Sequence, residues 1–196
     1  MFVLTVDQRG SRRGTDRVPE LLERLADRPG LVRGFERTVG DEVQGVLADA
    51  DAVVELVLDL VRLGGWSVGV GAGPVVEPLP ASPRAASGEA FVLARAAVEA
   101  AKSRQRSVPL AVRGVDVVAA ADAEAVLTLL GAVLVRRTPG GWEAVDAVRA
   151  GAGQDVVAQG LGVTQQAVSQ RLRAALWAED QAVRPVAARL LTAAQG

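Results

Sequence analysis

The sequence has no cysteine and no histidine. The first absence excludes disulfides and thiolate chemistry. The second removes the usual zinc sites, a Ser-His-Asp triad and any imidazole base. Catalysis, if present, would have to rest on carboxylates, arginine or lysine, with a hard metal such as magnesium. Lysine is nearly missing as well, since Lys102 is the only one among 22 basic residues. Together with abundant alanine, valine and glycine, this reads as the coding bias of a GC-rich genome, so a single arginine says little about function. Neither sign of charge dominates: 22 basic residues stand against 23 acidic ones. That balance argues against nucleic-acid binding by charge alone and leaves room for a local basic face. The start of the chain lacks a basic region followed by an apolar run, which predicts no secretory signal peptide. The apolar stretches read as too short to span a bilayer. The expectation is a cytoplasmic globular protein with no membrane partner, built from one mid-sized and one small domain.

The hydrophobic pattern predicts an α+β chain. Phe2 to Val6 reads as a buried strand ending at Asp7, followed by the basic loop Gln8 to Gly14. Asp16 can cap a helix that carries Val18, Leu21, Leu22 and Leu25 and stops at Pro29-Gly30. Two strands follow, Gly34 to Thr38 and Glu42 to Leu47, joined by a tight turn at Gly40-Asp41. Asp49 or Asp51 caps a second helix, which Gly64-Gly65 ends. In the strand Trp66 to Gly71, alternating glycines predict close approach by a neighbour or a ligand. Residues 73 to 87 read as a loop, and Gly88 to Lys102 as a helix with Phe91, Ala94 and Val98 inward. Val108 to Val112 reads as an edge strand because Pro109 lies within it. From Ala119 onward the pattern is helical, with a break or kink expected at Pro185. The composition shift places a domain boundary at 117/118.

The segment Gln154 to Leu172 has the spacing of a helix-turn-helix, with the pair of helices extending over 154–177. Ala158 is small where the second helix would cross, and Gly162 can take a positive φ at the turn. Val157, Leu161, Val163, Val168 and Leu172 would lock the helices together. Thr164 would cap the second helix, leaving Gln165, Gln166, Ser169 and Gln170 free to hydrogen-bond base edges. Arg171 and Arg173 could reach phosphates. A helical hairpin used only for packing is the alternative. The stretch resembles region four of bacterial sigma factors, which implies double-stranded DNA as a partner and a contact with RNA polymerase. One such unit in near-neutral surroundings binds weakly, so a homodimer is expected.

In the N-terminal half, Asp7 with Gly10-Ser11, Gly40-Asp41-Glu42 at the hairpin, and Gly69 to Gly73 followed by Gly88 to Arg95 resemble class III nucleotide cyclases. The resemblance implies a ferredoxin-like βαββαβ domain over 1–117, followed by an all-α helix-turn-helix domain over 118–196. It also implies a nucleotide site in which Asp7 and Asp41 hold magnesium, helped by Gly10, Ser11 and Gly40. The family's helix carries an Asn and, one turn further on, an Arg. Here Val92 and Ala96 occupy those positions and Arg95 is rotated away by about 100°, so cyclase activity is not expected and the domain reads as degenerate. The alternative for Asp7 is a strand-end residue, and for Asp41 a turn residue chosen for conformation. Arg9, Arg12, Arg13 and Arg17 form a basic cluster that suits phosphates or simply a solvated face. Lys102, Arg104 and Arg106 read as compensating a helix dipole, and Trp66 and Trp142 as core anchors. The whole chain is similar to SatD-like bacterial proteins. The combined expectation is a DNA-binding regulator whose N-terminal domain dimerises and senses a nucleotide. A metal-dependent nucleotide enzyme with a helical docking tail is the alternative.

Overall fold

The computed structural model describes residues 1–11 and 14–196. The chain is α+β, opening with β1 (Phe2–Gln8), α1 (Val18–Leu25), β2 (Leu31–Arg37), β3 (Glu42–Leu47), α2 (Ala50–Leu63) and β4 (Trp66–Ala72). A loop with a 3-10 turn at Pro83–Ala85 leads to α3 (Glu89–Ala101) and β5 (Leu110–Gly114). The rest is helical: α4 (Val117–Leu134), α5 (Pro139–Arg149), α6 (Gln154–Leu161), α7 (Gln165–Ala174) and α8 (Trp177–Ala193). The strands make one mixed sheet in the order β2-β3-β1-β4-β5. β1 runs antiparallel to both its neighbours, and β5 runs parallel to β4 at the edge.

Local chemistry explains most of the element boundaries. Asp49 caps α2, its carboxylate accepting from the Asp51 amide at 3.1 Å, while an Asp16 carboxylate oxygen accepts from the Val18 amide at 3.0 Å one residue ahead of the α1 cap position, Arg17. Gly64 closes α2. β5 begins only after Pro109, which lacks the N–H needed for a ladder and instead accepts from the Val68 amide at 2.8 Å. β2 starts earlier than expected, at Leu31. Of the break or kink expected at Pro185, α8 shows no break, running on through the proline.

The sheet alternates as a two-faced strand pattern requires. Phe2, Leu4 and Val6 enter the main core with α1 and α2, while Val3 faces α3. Residues from α4 and α8, including Leu127, Leu130, Ala187 and Leu191, join that same main core. The boundary expected at 117/118 therefore coincides with the start of α4, but the apolar core does not divide there. A separate cluster forms from α5, α6 and α7, around Val145, Val157, Val168 and Leu172. Trp142 packs against both clusters, its ring lying 3.6 Å from the Arg62 guanidinium and 4.8 Å from that of Arg137.

Two expectations change. Phe91 is only half-buried, because the inner face of α3 consists of Ala90, Ala94, Ala97, Val98 and Ala101. α4 is, by length and composition, one helix apolar enough to cross a membrane, contrary to the reading that no stretch was long enough. Asp122 and Glu124 break its unbroken apolar runs and hid this in the sequence. One side of α4 is built into the main core.

Candidate functional site

Asp7 sits near the end of β1, paired in register with Glu42 of β3 and Ser67 of β4. The hairpin tip folds over the same strand end, where the Gln8 amide donates to the Asp41 carbonyl at 3.3 Å. Gln8 is buried and anchors the following loop. Its side-chain carbonyl accepts from the Arg17 amide at 2.8 Å, and its amide nitrogen donates to the Thr15 carbonyl at 2.7 Å. Asp7, Asp41, Gly10 and Ser11 thus line one open cleft of about 610 Å³, together with Gln8, Lys102 and Arg104. Gly40 lies exposed at the hairpin tip beside it. Arg12 and Arg13 of the expected basic cluster lie outside the described residues. Arg9 is exposed, and Arg17 stacks over Trp66 at 5.5 Å.

Lys102, the residue that closes α3, reaches across this cleft. Its ammonium lies 3.0 Å from Asp7 Oδ2 and 2.8 Å from Glu99 Oε1. Burial raises the Asp7 carboxyl above the usual carboxylate range. The Lys102 bond opposes that rise, and repulsion from Asp41 and Glu42 adds to it. Burial works against the Lys102 charge, but its bonds to Glu99 and Asp7 outweigh that and raise its pKa. Glu42 is occupied elsewhere, accepting from the Thr38 hydroxyl at 2.8 Å and facing Arg95 at 3.8 Å. Among the described residues no group of three or more carboxylates converges as a metal site. The Ser67 hydroxyl, across from Asp7 in the ladder, is buried without a hydrogen-bond partner among the described residues. Val92 and Ala96 are both exposed on α3.

The role of Lys102 was missed in the sequence because helix-dipole compensation was sufficient reason for a cation there. A signal was available nonetheless. In a chain whose cations are otherwise all arginine, the single lysine stands apart from the compositional bias.

The second candidate is the α6–α7 pair. Gly162 ends α6 with φ 63° and ψ 33°, in the left-handed region that glycine enters without strain. The Val163 amide then donates back to the Ala158 carbonyl at 3.0 Å, and Thr164 Oγ1 accepts from the Ala167 amide at 3.1 Å. Val157, Ala158, Val168 and Leu172 are buried between the helices, with Leu161 and Val163 half-buried. Thr164, Gln165, Gln166, Gln170 and Arg173 are exposed, and Ser169 is half-buried. Arg171 turns toward α5, where it pairs with Glu143 at 3.2 Å, so the two arginines differ in what they can reach.

Compared with known proteins, the chain matches no family model, no curated protein and no solved structure.

Proposed function

We propose that the protein is a sequence-specific DNA-binding regulator in which α6 and α7 form a helix-turn-helix and α7 is the recognition helix. The observation that carries this reading is the exposed row Gln166, Gln170 and Arg173 on α7, opposite the buried Val168 and Leu172. The left-handed Gly162 turn and the Thr164 cap support it, because they are the local devices such a turn needs. The β2-β3-β1-β4 order supports reading the N-terminal part as ferredoxin-like and akin to a cyclase homology domain, with β5 added at the edge. Two copies bound together would present two recognition helices. The test is selection of genomic DNA with the full chain, followed by affinity measurement. Gln166→Ala and Gln170→Ala should each weaken the selected site by about 1–3 kcal/mol while far-UV circular dichroism stays unchanged. Arg173→Ala should weaken all sequences alike and reduce the salt slope by about one. Recovery of no preferred sequence overturns the reading.

A second reading applies to the cleft: a nucleotide whose phosphates meet Lys102 and Arg104. What favours it is Asp7 itself, a carboxylate whose environment disfavours its charge. Magnesium at Asp7 would compete with the Lys102 ammonium for Oδ2, so the residues present suit a phosphate group better than a bare ion. Because the folded pKa is raised, the stability tied to Asp7 is greatest below the ordinary value of 3.8 and is lost as pH rises through the folded value. Asp7→Asn should therefore raise the melting temperature at neutral pH, and the gain should vanish on acidification. ATP or GTP with magnesium should raise the melting temperature of the wild type and not of Lys102→Met, which lacks the cation the phosphates would meet. An Asp7→Asn protein no more stable than wild type at neutral pH, or an equal nucleotide response in wild type and Lys102→Met, removes this reading.

A further inference from the structure

α4 carries an apolar face that no other described residue covers. Leu127, Leu130 and Leu134 enter the main core, but Val118 is 72% exposed and Leu129 67%. A helix apolar on all sides is ordinarily buried on all sides, and an open apolar stripe marks a contact surface. The open side has a regular spacing. Val118, Asp122, Ala125, Leu129, Ala132 and Arg136 alternate by four and three residues, the period of a helix-packing seam. Arg136 lies in the turn that closes the helix, and every member is exposed except the half-buried Ala132. Val133 and Leu176 continue the patch beside Arg136, in a shallow pocket of about 200 Å³.

The charges on this seam identify its occupant. Asp122 and Arg136 lie one heptad before and one heptad after Leu129, and neither makes an ion pair with another described residue. We infer that α4 packs antiparallel against α4 of a second copy of this chain, with the two-fold axis at Leu129. About that axis each Asp122 faces the partner copy's Arg136, so one charge pair forms twice and the apolar centre closes between them. A parallel pair would oppose Asp122 to Asp122 and Arg136 to Arg136. A bilayer would gain nothing from this symmetry. The inference deepens the dimeric form of the proposed function but does not depend on DNA binding, so its failure would leave the DNA titration to be judged by itself.

The test uses the full chain in sedimentation equilibrium and cross-linking. Wild type is expected to dimerise. Asp122→Arg or Arg136→Asp alone should weaken the dimer about tenfold or more, since each change opposes like charges. The double exchange D122R/R136D should restore it. The chain has no native cysteine, so a single introduced thiol is unambiguous. Leu129→Cys should cross-link to itself with a short bis-maleimide, whereas Val118→Cys should not, because its two copies would lie about 33 Å apart. Leu129→Lys should give a monomer with unchanged circular dichroism, the site being exposed. A wild-type monomer at high micromolar concentration overturns the inference. So does a dimer indifferent to Leu129→Lys, equal cross-linking at both cysteines, or binding to phosphatidylcholine–phosphatidylglycerol vesicles that Leu129→Lys abolishes.

Discussion

Asp180→Ala should cost about 3–5 kcal/mol of stability, far more than removal of a surface acid. Asp180 is fully buried at the joint between the sheet core and the α5–α7 cluster. Its Oδ2 accepts from Arg137 at 2.7 Å and its Oδ1 from Arg184 Nε at 2.8 Å. Both arginines are buried as well. Arg137 also donates to the Ala175 carbonyl at 2.8 Å, and one of its terminal nitrogens has no partner among the described residues. Arg184 reaches Glu55 of α2 at 2.5 Å, and Glu55 also meets Arg149 of α5. Burial works against the Arg184 charge, but its bonds to Asp180 and Glu55 prevail and raise its pKa. Removing Asp180 leaves Arg137 as a buried cation with no carboxylate and Arg184 with half its pairing. Breaking a buried pair costs more than the pair itself contributes, because the orphaned charge keeps its desolvation penalty.

Asp146→Ala is the control. Asp146 pairs with Arg62 at 2.6 Å, but the two side chains are 47% and 35% exposed, so its loss should cost under about 1 kcal/mol. Urea unfolding at neutral pH compares the two directly. Equal losses would mean that the joint is solvated and that α5–α7 are not held rigidly against the sheet. On the proposed function α7 needs that rigidity if binding at the cleft is to bias it, since coupling requires two discrete arrangements.

What the sequence revealed and what it concealed divide along the same line as local and tertiary chemistry. The turn at Gly162 and Thr164 was legible because a left-handed glycine and a hydroxyl cap act on residues a few positions away. A cap at Asp49 or Asp51, of which Asp49 serves, and the β2–β3 hairpin were legible for the same reason. The membership of α4 and α8 in the sheet core was not. α4 is apolar nearly all round, so no stripe in its pattern says which side meets which neighbour. The Asp180–Arg184 spacing announces a helical pair, but nothing nearby announces that Arg137 arrives from another helix and buries it. At the cleft, Asp7 and Asp41 were readable as strand-end and hairpin residues. The cation between α3 and β1 depends on how α3 lies across the sheet, and the β4 glycines announced a close approach there without saying that α3 makes it.

How α3 lies is decided at Gly69 and Gly71, and Gly71→Ala should cost about 3 kcal/mol, the upper end for overpacking. That corresponds to a fall of roughly 6–12 °C in melting temperature for a chain of this size. A Cβ at Gly71 would sit 2.1 Å from the Ala90 carbonyl oxygen and 2.4 Å from the Ala94 nitrogen, and one at Gly69 would sit 2.2 Å from the Val98 nitrogen. These are backbone atoms, so no rotamer change relieves the clash and the helix must lift from the sheet. The alternating glycines therefore admit a neighbour, the alanine face of α3, in place of a ligand. Gly34→Ala in β2 is the matched control, since its Cβ meets nothing within 4 Å and its cost should be close to nil. The displacement has a consequence at the cleft. Lifting α3 withdraws Lys102 from Asp7 and leaves burial and the repulsion from Asp41 and Glu42 unopposed, so the Asp7 carboxyl should titrate higher still. NMR titration of the Asp7 side-chain carboxyl in wild type, Gly71→Ala and Lys102→Met reads this directly. Upward shifts in both variants tie the glycines to the cleft through α3. A Gly71→Ala protein as stable as the Gly34→Ala control, with Asp7 unmoved, would mean that α3 does not lie against the strand.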